Sequence, residues 1–188
     1  QVTITYGDGR VARFELGENE YIAPVGNYDI LTKEVDGTFR LTRKDQSIYA
    51  FDILGQIATV TDRNGHVMTF NYVGVNLSTI VGPAGRMLLA FAYTDGLLTQ
   101  VTDVLSRSIQ YGYDENQNLI SVTDPENFTT TFIYSEDHRI ITITDANGHS
   151  IITNEYNSDG RVVKQWDAEG HTTEFFYTIL DHDTSVTD

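Results

Sequence analysis

Short apolar runs alternate with polar clusters rich in Asp, Asn and Gly along most of the chain. Within the runs, β-branched and aromatic residues fall at every second position, as in Phe70 and Tyr72, Phe91 and Tyr93, Tyr111 and Tyr113, Phe132 and Tyr134, or Phe175 and Tyr177. A period of two puts such pairs on one face of a strand, and the polar clusters between runs read as turns. The last aromatic of each run forms a ladder, Phe51, Tyr72, Tyr93, Tyr113, Tyr134, Tyr156 and Tyr177, with successive spacings of 21, 21, 20, 21, 22 and 21. A second ladder, Asp62, Asp103, Asp124, Asp145 and Asp167, keeps the same interval, with Gly82 where an Asp between the first two would fall. Two ladders with one period predict a repeat architecture.

One period holds two strands and two turns. From Tyr113 onward, 114–118 is a turn, Leu119 to Thr123 a strand, Asp124 to Asn127 a turn, and Phe128 to Tyr134 a strand. The turns at Asp62-Arg63-Asn64-Gly65, Asp145-Ala146-Asn147-Gly148 and Asp167-Ala168-Glu169-Gly170 suit an Asp that bonds amides two residues on. Their fourth residue, Gly65, Gly148 or Gly170, suits positive φ, and Asn127 is the best non-glycine substitute. Asp103-Val104-Leu105-Ser106 breaks this rule, which predicts a distorted turn. The paired aromatics predict a core stripe in which each ring stacks near its counterpart in the next hairpin. A single 21-residue hairpin is too small to fold alone, so stability must accumulate along the array. The reading is all-β: hairpins of about 21 residues stacked into one continuous curved antiparallel sheet. Residues 1–46 are degenerate N-terminal strands with their best loop at Gly17 to Tyr28, 47–177 are the repeats, and 178–188 begin a further incomplete repeat or a tail. No long amphipathic helix is evident.

Composition narrows the function. The 188 residues are 40% hydrophobic and 11% aromatic, enough for a core, and no run approaches the roughly 18 apolar residues of a membrane helix. A net charge of −15, with Arg43-Lys44 the longest basic cluster, opposes binding to nucleic acid or to anionic membranes. With no cysteine, neither disulfides nor thiolate metal sites are available. The first residues, QVTITYGDGR, alternate like a strand and carry no signal peptide, and the pattern opens and closes in mid-repeat. That predicts a piece of a longer polypeptide.

The string from Tyr113 to Asp124, YDENQNLISVTD, resembles the YD repeat of Rhs proteins, roughly Y-D-x-x-G-x-L-x-x-V-x-D-x-x-G-x-x-x-x-F-x-Y. So do Tyr156 to Arg161 and Phe51 to Gly65, and the resemblance spans about residues 37–177. It implies a sheet that spirals into a hollow shell, as in bacterial Rhs proteins, insecticidal toxin-complex components and teneurins, where bacterial shells enclose a C-terminal toxin. The family's self-cleavage motif, of the Asp-Pro-x-Gly type, is not matched, since Asp124-Pro125 is followed by Glu126 and Asn127. Any toxin or cleavage activity is expected to lie outside this chain.

Candidate chemistry is sparse. Histidines follow the turn glycines at His66, His149 and His171, but Arg86, Arg107 and Phe128 hold the intervening positions, so a metal ladder is irregular and an exposed role after the turn is the simpler reading. The Asp-x-Asn-Gly turns match neither calcium spacing, and capping explains them better. No nucleophile elbow, phosphate loop or zinc motif is present, and acid pairs such as Glu18 with Glu20 or Asp181 with Asp183 are commonplace in so acidic a chain. Trp166 departs from the Val-x-Asp pattern. It reads as core filling at a one-residue bulge, with stacking on a sugar as the weaker alternative. Asn76-Leu77-Ser78 and Asn127-Phe128-Thr129 match the glycan acceptor pattern, relevant only in a eukaryote. The expectation is a non-catalytic scaffold without cofactor or metal, secreted or on the cell surface of a bacterium. Its partners would be the rest of its own polypeptide, including an enclosed C-terminal effector. The alternative is a module binding carbohydrate or a cell surface.

Overall fold

The computed structural model describes residues 1–18 and 20–177 and the backbone of 184–187. The acid pair at 181 and 183 and most of the expected tail at 178–188 lie outside the described residues. The chain divides into two units, Gln1–Ala90 and Phe91–Asp188. In the first, consecutive strands pair antiparallel: β1 (Val2–Thr5), β2 (Val11–Leu16), β3 (Tyr21–Ile22), β4 (Ile30–Lys33), β5 (Phe39–Thr42), β6 (Ile48–Phe51), β7 (Ile57–Thr61), β8 (Val67–Val73), β9 (Asn76–Val81) and the start of β10 (Met87–Thr94). In the second, the same meander runs through β11 (Leu97–Asp103), β12 (Ser108–Tyr113), β13 (Leu119–Thr123), β14 (Thr129–Tyr134), β15 (Ile140–Thr144), β16 (Ser150–Tyr156), β17 (Val162–Asp167), β18 (Thr172–Tyr177) and β19 (Thr184–Thr187). The fold is all-β, built of antiparallel hairpins. The expected loop at Gly17 to Tyr28 contains β3, which pairs with both β2 and β4.

Register shows what separates the faces. In the second unit one face carries Ile109, Tyr111, Tyr113, Val122, Phe132, Tyr134, Ile143 and Ile152; the opposite face carries Thr123 opposite Thr129, Thr131 opposite Ser121 and Thr144, and Thr142 opposite Thr153. β-Branched Thr suits a strand while keeping its hydroxyl at the surface, and Thr123 and Thr129 share a hydrogen bond of 2.9 Å.

A bulge recurs in every fully described hairpin of this type. Tyr113 pairs with Leu119 while Gly112 pairs with Ser121, which leaves Ile120 extra; Ala58, Ser78, Ile141 and Val163 are the equivalent extra residues. Leu119 and Val122 are three apart, an odd spacing that would put them on opposite faces of a regular strand. The bulge returns both to the aromatic face.

The same ladders account for the uneven period. Replacing a three-residue turn by the two-residue Gly74-Val75 or Asp95-Gly96 removes one residue, and extra bulges at Leu88 and Ile151 each add one. Between Tyr72 and Tyr93 loss and gain cancel at 21; the next spacing has only a loss, giving 20, and that ending at Tyr156 only a gain, giving 22.

The aromatic stripe is not the buried core. Phe70, Tyr72, Phe132 and Tyr134 are half-buried, whereas the fully buried side chains, Phe14, Leu31 and Leu41, belong to the segment expected to be degenerate. A single sheet covers each side chain only from the sides. In the first unit Ile4, Ala12 and Phe14 of β1 and β2 meet Leu31 and Leu41 and supply a second layer. Nor do the ladder rings stack on one another: counterparts lie two strands apart, about 9.5 Å, with Leu119, Ile140 or Val162 on the strand between.

A deletion tests the two-faced meander. Removing residues 114–134, one whole period, keeps every downstream strand's direction and face and should leave a cooperatively unfolding β protein. Removing 124–134, half a period, reverses downstream strands and turns their aromatics to the threonine side. Circular dichroism with urea unfolding should show collapse of the second variant alone.

Candidate functional site: the repeated turn and the sheet faces

All the ladder aspartates sit in one kind of turn. Asp62 N–H donates to the His66 carbonyl at 3.0 Å, and Gly65 N–H donates to the Asp62 carbonyl at 3.0 Å; the same two bonds recur at Asp103, Asp124, Asp145 and Asp167. The fourth residue has positive φ, at Gly65, Gly148 and Gly170 and also at Ser106 and Asn127. This is a three-residue hairpin turn closed by a left-handed residue. One carboxylate oxygen serves two amides: Asp62 Oδ1 accepts from Asn64 N (2.8 Å) and His66 N (2.9 Å), and Asp124 Oδ1 from Glu126 N and Phe128 N (both 2.9 Å). The turn on the other edge of the repeat has the same form at Asp52, Asp114 and Asn157.

Asp103 to Ser106, expected to be distorted, is regular. Asp103 Oδ1 accepts from Leu105 N (2.8 Å) and Arg107 N (2.9 Å), and Ser106 adopts φ of 63°. The carboxylate bonds outweigh the cost of a left-handed serine, about 1 kcal/mol. At Gly82, the ladder position without Asp, the same two backbone bonds form at 2.7 and 3.3 Å, but no side chain caps the amides, Pro83 leads, and Ala84 and Gly85 are both left-handed.

The second carboxylate oxygen explains the histidines. Asp62 Oδ2 lies 2.9 Å from His66 Nδ1, Asp145 Oδ2 3.4 Å from His149 Nδ1, and Asp167 Oδ2 2.9 Å from His171 Nδ1, while Arg107 Nε donates to Asp103 Oδ2 at 2.7 Å. The residue after the turn is thus a partner of the ladder Asp, and His or Arg at that position was the available sequence signal. The His66 side chain holds the Asp62 carboxyl down at about 2. The Arg107 side chain lowers Asp103, the His149 amide lowers Asp145, and the His171 side chain lowers Asp167, whose bond in turn raises His171. Asp167, Glu169 and His171 bring ligand atoms within 4.8 Å of one another, all exposed, but the Asp167 carboxylate already accepts from Glu169 N, His171 N and His171 Nδ1.

Ladder tyrosines have a matching role. The hydroxyls of Tyr113, Tyr156 and Tyr177 donate to the carbonyls of Leu98, Ile140 and Val162 at 2.9, 2.7 and 2.8 Å, each near the start of the preceding strand. Tyr134, Tyr93 and Tyr72 are half-buried on the corresponding strands, as is Phe51, which has no hydroxyl.

Trp166 is not itself a bulged residue. It pairs in register with Thr153 and Thr172, on the face opposite Tyr156, Phe175 and Tyr177, and the extra residues nearby are Ile151 on β16 and Val163 on its own strand. The Val position is taken by Gln165, which donates to Asn154 Oδ1 at 2.7 Å on the aromatic face. Lys164 Nζ stands 5.4 Å from the centre of the Trp166 ring and 3.3 Å from Glu174.

Two measurements follow. Ser106→Gly should raise stability by about 1 kcal/mol, because glycine adopts positive φ without a Cβ clash; urea midpoints compare the two chains. The lowered Asp values place their stabilising contribution above the ordinary carboxyl value, lost as pH falls through the folded values, near 2 for Asp62, whereas the raised His171 stabilises below its ordinary value and loses that as pH rises. Urea midpoints should therefore fall from about pH 5 to pH 2, and less steeply in Asp62→Asn.

Comparison with known proteins agrees with this geometry. The family model "RHS Repeat" matches residues 93–127 and 113–150. Among curated proteins, none matches the chain. The "Crystal Structure of TcdB2-TccC3-Cdc42" is similar over 88% of this chain and 8% of its own, at 15% identity and a TM-score of 0.52. The "Crystal Structure of TcdB2-TccC3 without hypervariable C-terminal region" is similar over 94% and 12%, at 12% identity and a TM-score of 0.50. The chain thus spans a small fraction of either structure, and at these identities the likeness is one of fold. The RHS Repeat model thus covers residues 93–150, and the same turn, bulge and tyrosine geometry continues on either side of that match.

Proposed function

We propose that this chain is a non-catalytic structural segment of a larger secreted or cell-surface RHS-type protein of a bacterium, forming part of a β-shell that encloses or displays another domain. The observation that carries the reading is the use of the ladder side chains. Each ladder Asp is engaged by the amides of its own turn, and Tyr113, Tyr156 and Tyr177 are engaged by backbone carbonyls, so the signature builds the sheet and leaves little for chemistry. The half-buried aromatic face supports a wall with something on its inner side, such as more of the same polypeptide or a C-terminal effector. Nucleic acid and membrane insertion are not part of this reading, given the charge of −15. For the alternative, carbohydrate or cell-surface recognition through Trp166, the Lys164 ammonium already lies over the ring, 5.4 Å from its centre.

Limited proteolysis of the full-length polypeptide tests the shell. A domain C-terminal to this segment should resist digestion in the intact protein and become cleavable when expressed alone. Equal digestion rates in the two forms would remove the enclosure reading.

A further inference from the structure

Away from the repeats, the first unit holds a cleft that the repeat architecture does not require. The ring of Tyr6 lies between two guanidinium groups, Arg10 Cζ at 5.0 Å and Arg43 Cζ at 5.6 Å, and Arg43 also lies 5.8 Å from the ring of Tyr49. Tyr6 OH donates to Asp29 Oδ2 at 2.7 Å and accepts from Asn27 Nδ2 at 3.0 Å, which fixes the ring. Arg10 is paired through Nε with Asp8 at 2.7 Å, but Arg43 comes no nearer to Asp29 than 4.0 Å, beyond hydrogen-bond distance. The Arg43 side chain hydrogen-bonds the Tyr49 side chain, and the remaining donors of its planar fork keep capacity for a carboxylate.

Two openings flank this stack, sharing Tyr6, Arg10 and Arg43 as a wall. One, about 450 Å³, has an apolar floor of Ile4, Leu41, Phe51 and Ile57. The other, about 520 Å³, lies against the 24–29 loop and adds Lys44. Together their walls carry three cations, Arg10, Arg43 and Lys44, against two carboxylates, Asp8 and Asp29, in a chain whose net charge is −15. A cation cluster beside an apolar floor complements an anion joined directly to an apolar body. The floor volume falls within the range of small-molecule sites.

We propose that the cleft between the end of β1 and strands β5 to β7 binds a small carboxylate with an aromatic or branched apolar body. The body rests on Ile4, Leu41, Phe51 and Ile57, and the carboxylate meets Arg43 and the free side of Arg10. This site stands apart from the shell reading and does not depend on it.

Titration of 3-phenylpropionate into the isotope-labelled chain, followed by the methyl signals of Ile4, Leu41 and Ile57, tests it. Saturable shifts at these methyls are expected. The uncharged 3-phenylpropionamide and the variant Arg43→Gln should each bind roughly tenfold more weakly, the loss of a charge-assisted pair, and propionate, which lacks the body, should leave the methyls unmoved. Absence of saturable shifts with 3-phenylpropionate, or equal binding of the amide to the unaltered chain, overturns the proposal, and neither result depends on the variant folding.

Discussion

The structure depends on one hydrogen-bonded ring, the three-residue turn closed by a left-handed residue and two backbone bonds. Because the first and fifth residues of the turn exchange a bond, the flanking strands leave it in a fixed register, and that register decides which side chains share a face. An Asp at the first position strengthens the ring by gathering two further amides on one oxygen, as Asp103 does in the turn that closes on Ser106. At Gly82, where the ladder Asp is replaced, the two backbone bonds persist but Ala84 joins Gly85 in the left-handed region.

A single layer of strands imposes a second condition. Neighbours within a sheet shield a side chain only laterally, so the rings of the repeats are half-buried, and among the described residues full burial of large side chains occurs where the first two strands meet the fourth and fifth. Much of the opposite face is threonine, which keeps strand propensity and presents a hydroxyl, although Ile133 and Phe176 stand exposed on it. Each repeat therefore stabilises its neighbours through edges and turns more than through a shared interior. The tyrosine hydroxyls, which reach back to a carbonyl on the preceding strand, extend that coupling across the ladder.

Much of this was legible in the residues. Alternating aromatics gave the strands and their common face, and the Asp and Gly spacing located the turns, because both signals are local. The bulges were legible too but went unread: an apolar pair three apart, Leu119 and Val122 or Ile140 and Ile143, cannot share a face in a regular strand. Misplacing that extra residue at Trp166 assigned the indole to the wrong side of the sheet. The true core at Phe14, Leu31 and Leu41 was hidden because it arises from contacts between strands far apart in sequence, which no local period records. The cleft at Arg43 was equally invisible, since it assembles from the β1 turn, a loop and β5 to β7. The partners of the second oxygen of Asp62, Asp103, Asp145 and Asp167 could have been foreseen from the His and Arg that follow those turns.

Four successive turns of the second unit place a residue other than glycine in the left-handed position, Ser106, Gln117, Asn127 and His138, whereas the three that follow use Gly148, Gly160 and Gly170. Each such substitution carries a backbone cost of about 1 kcal/mol, least for the asparagine, so the strained turn positions of this unit are gathered between residues 103 and 139.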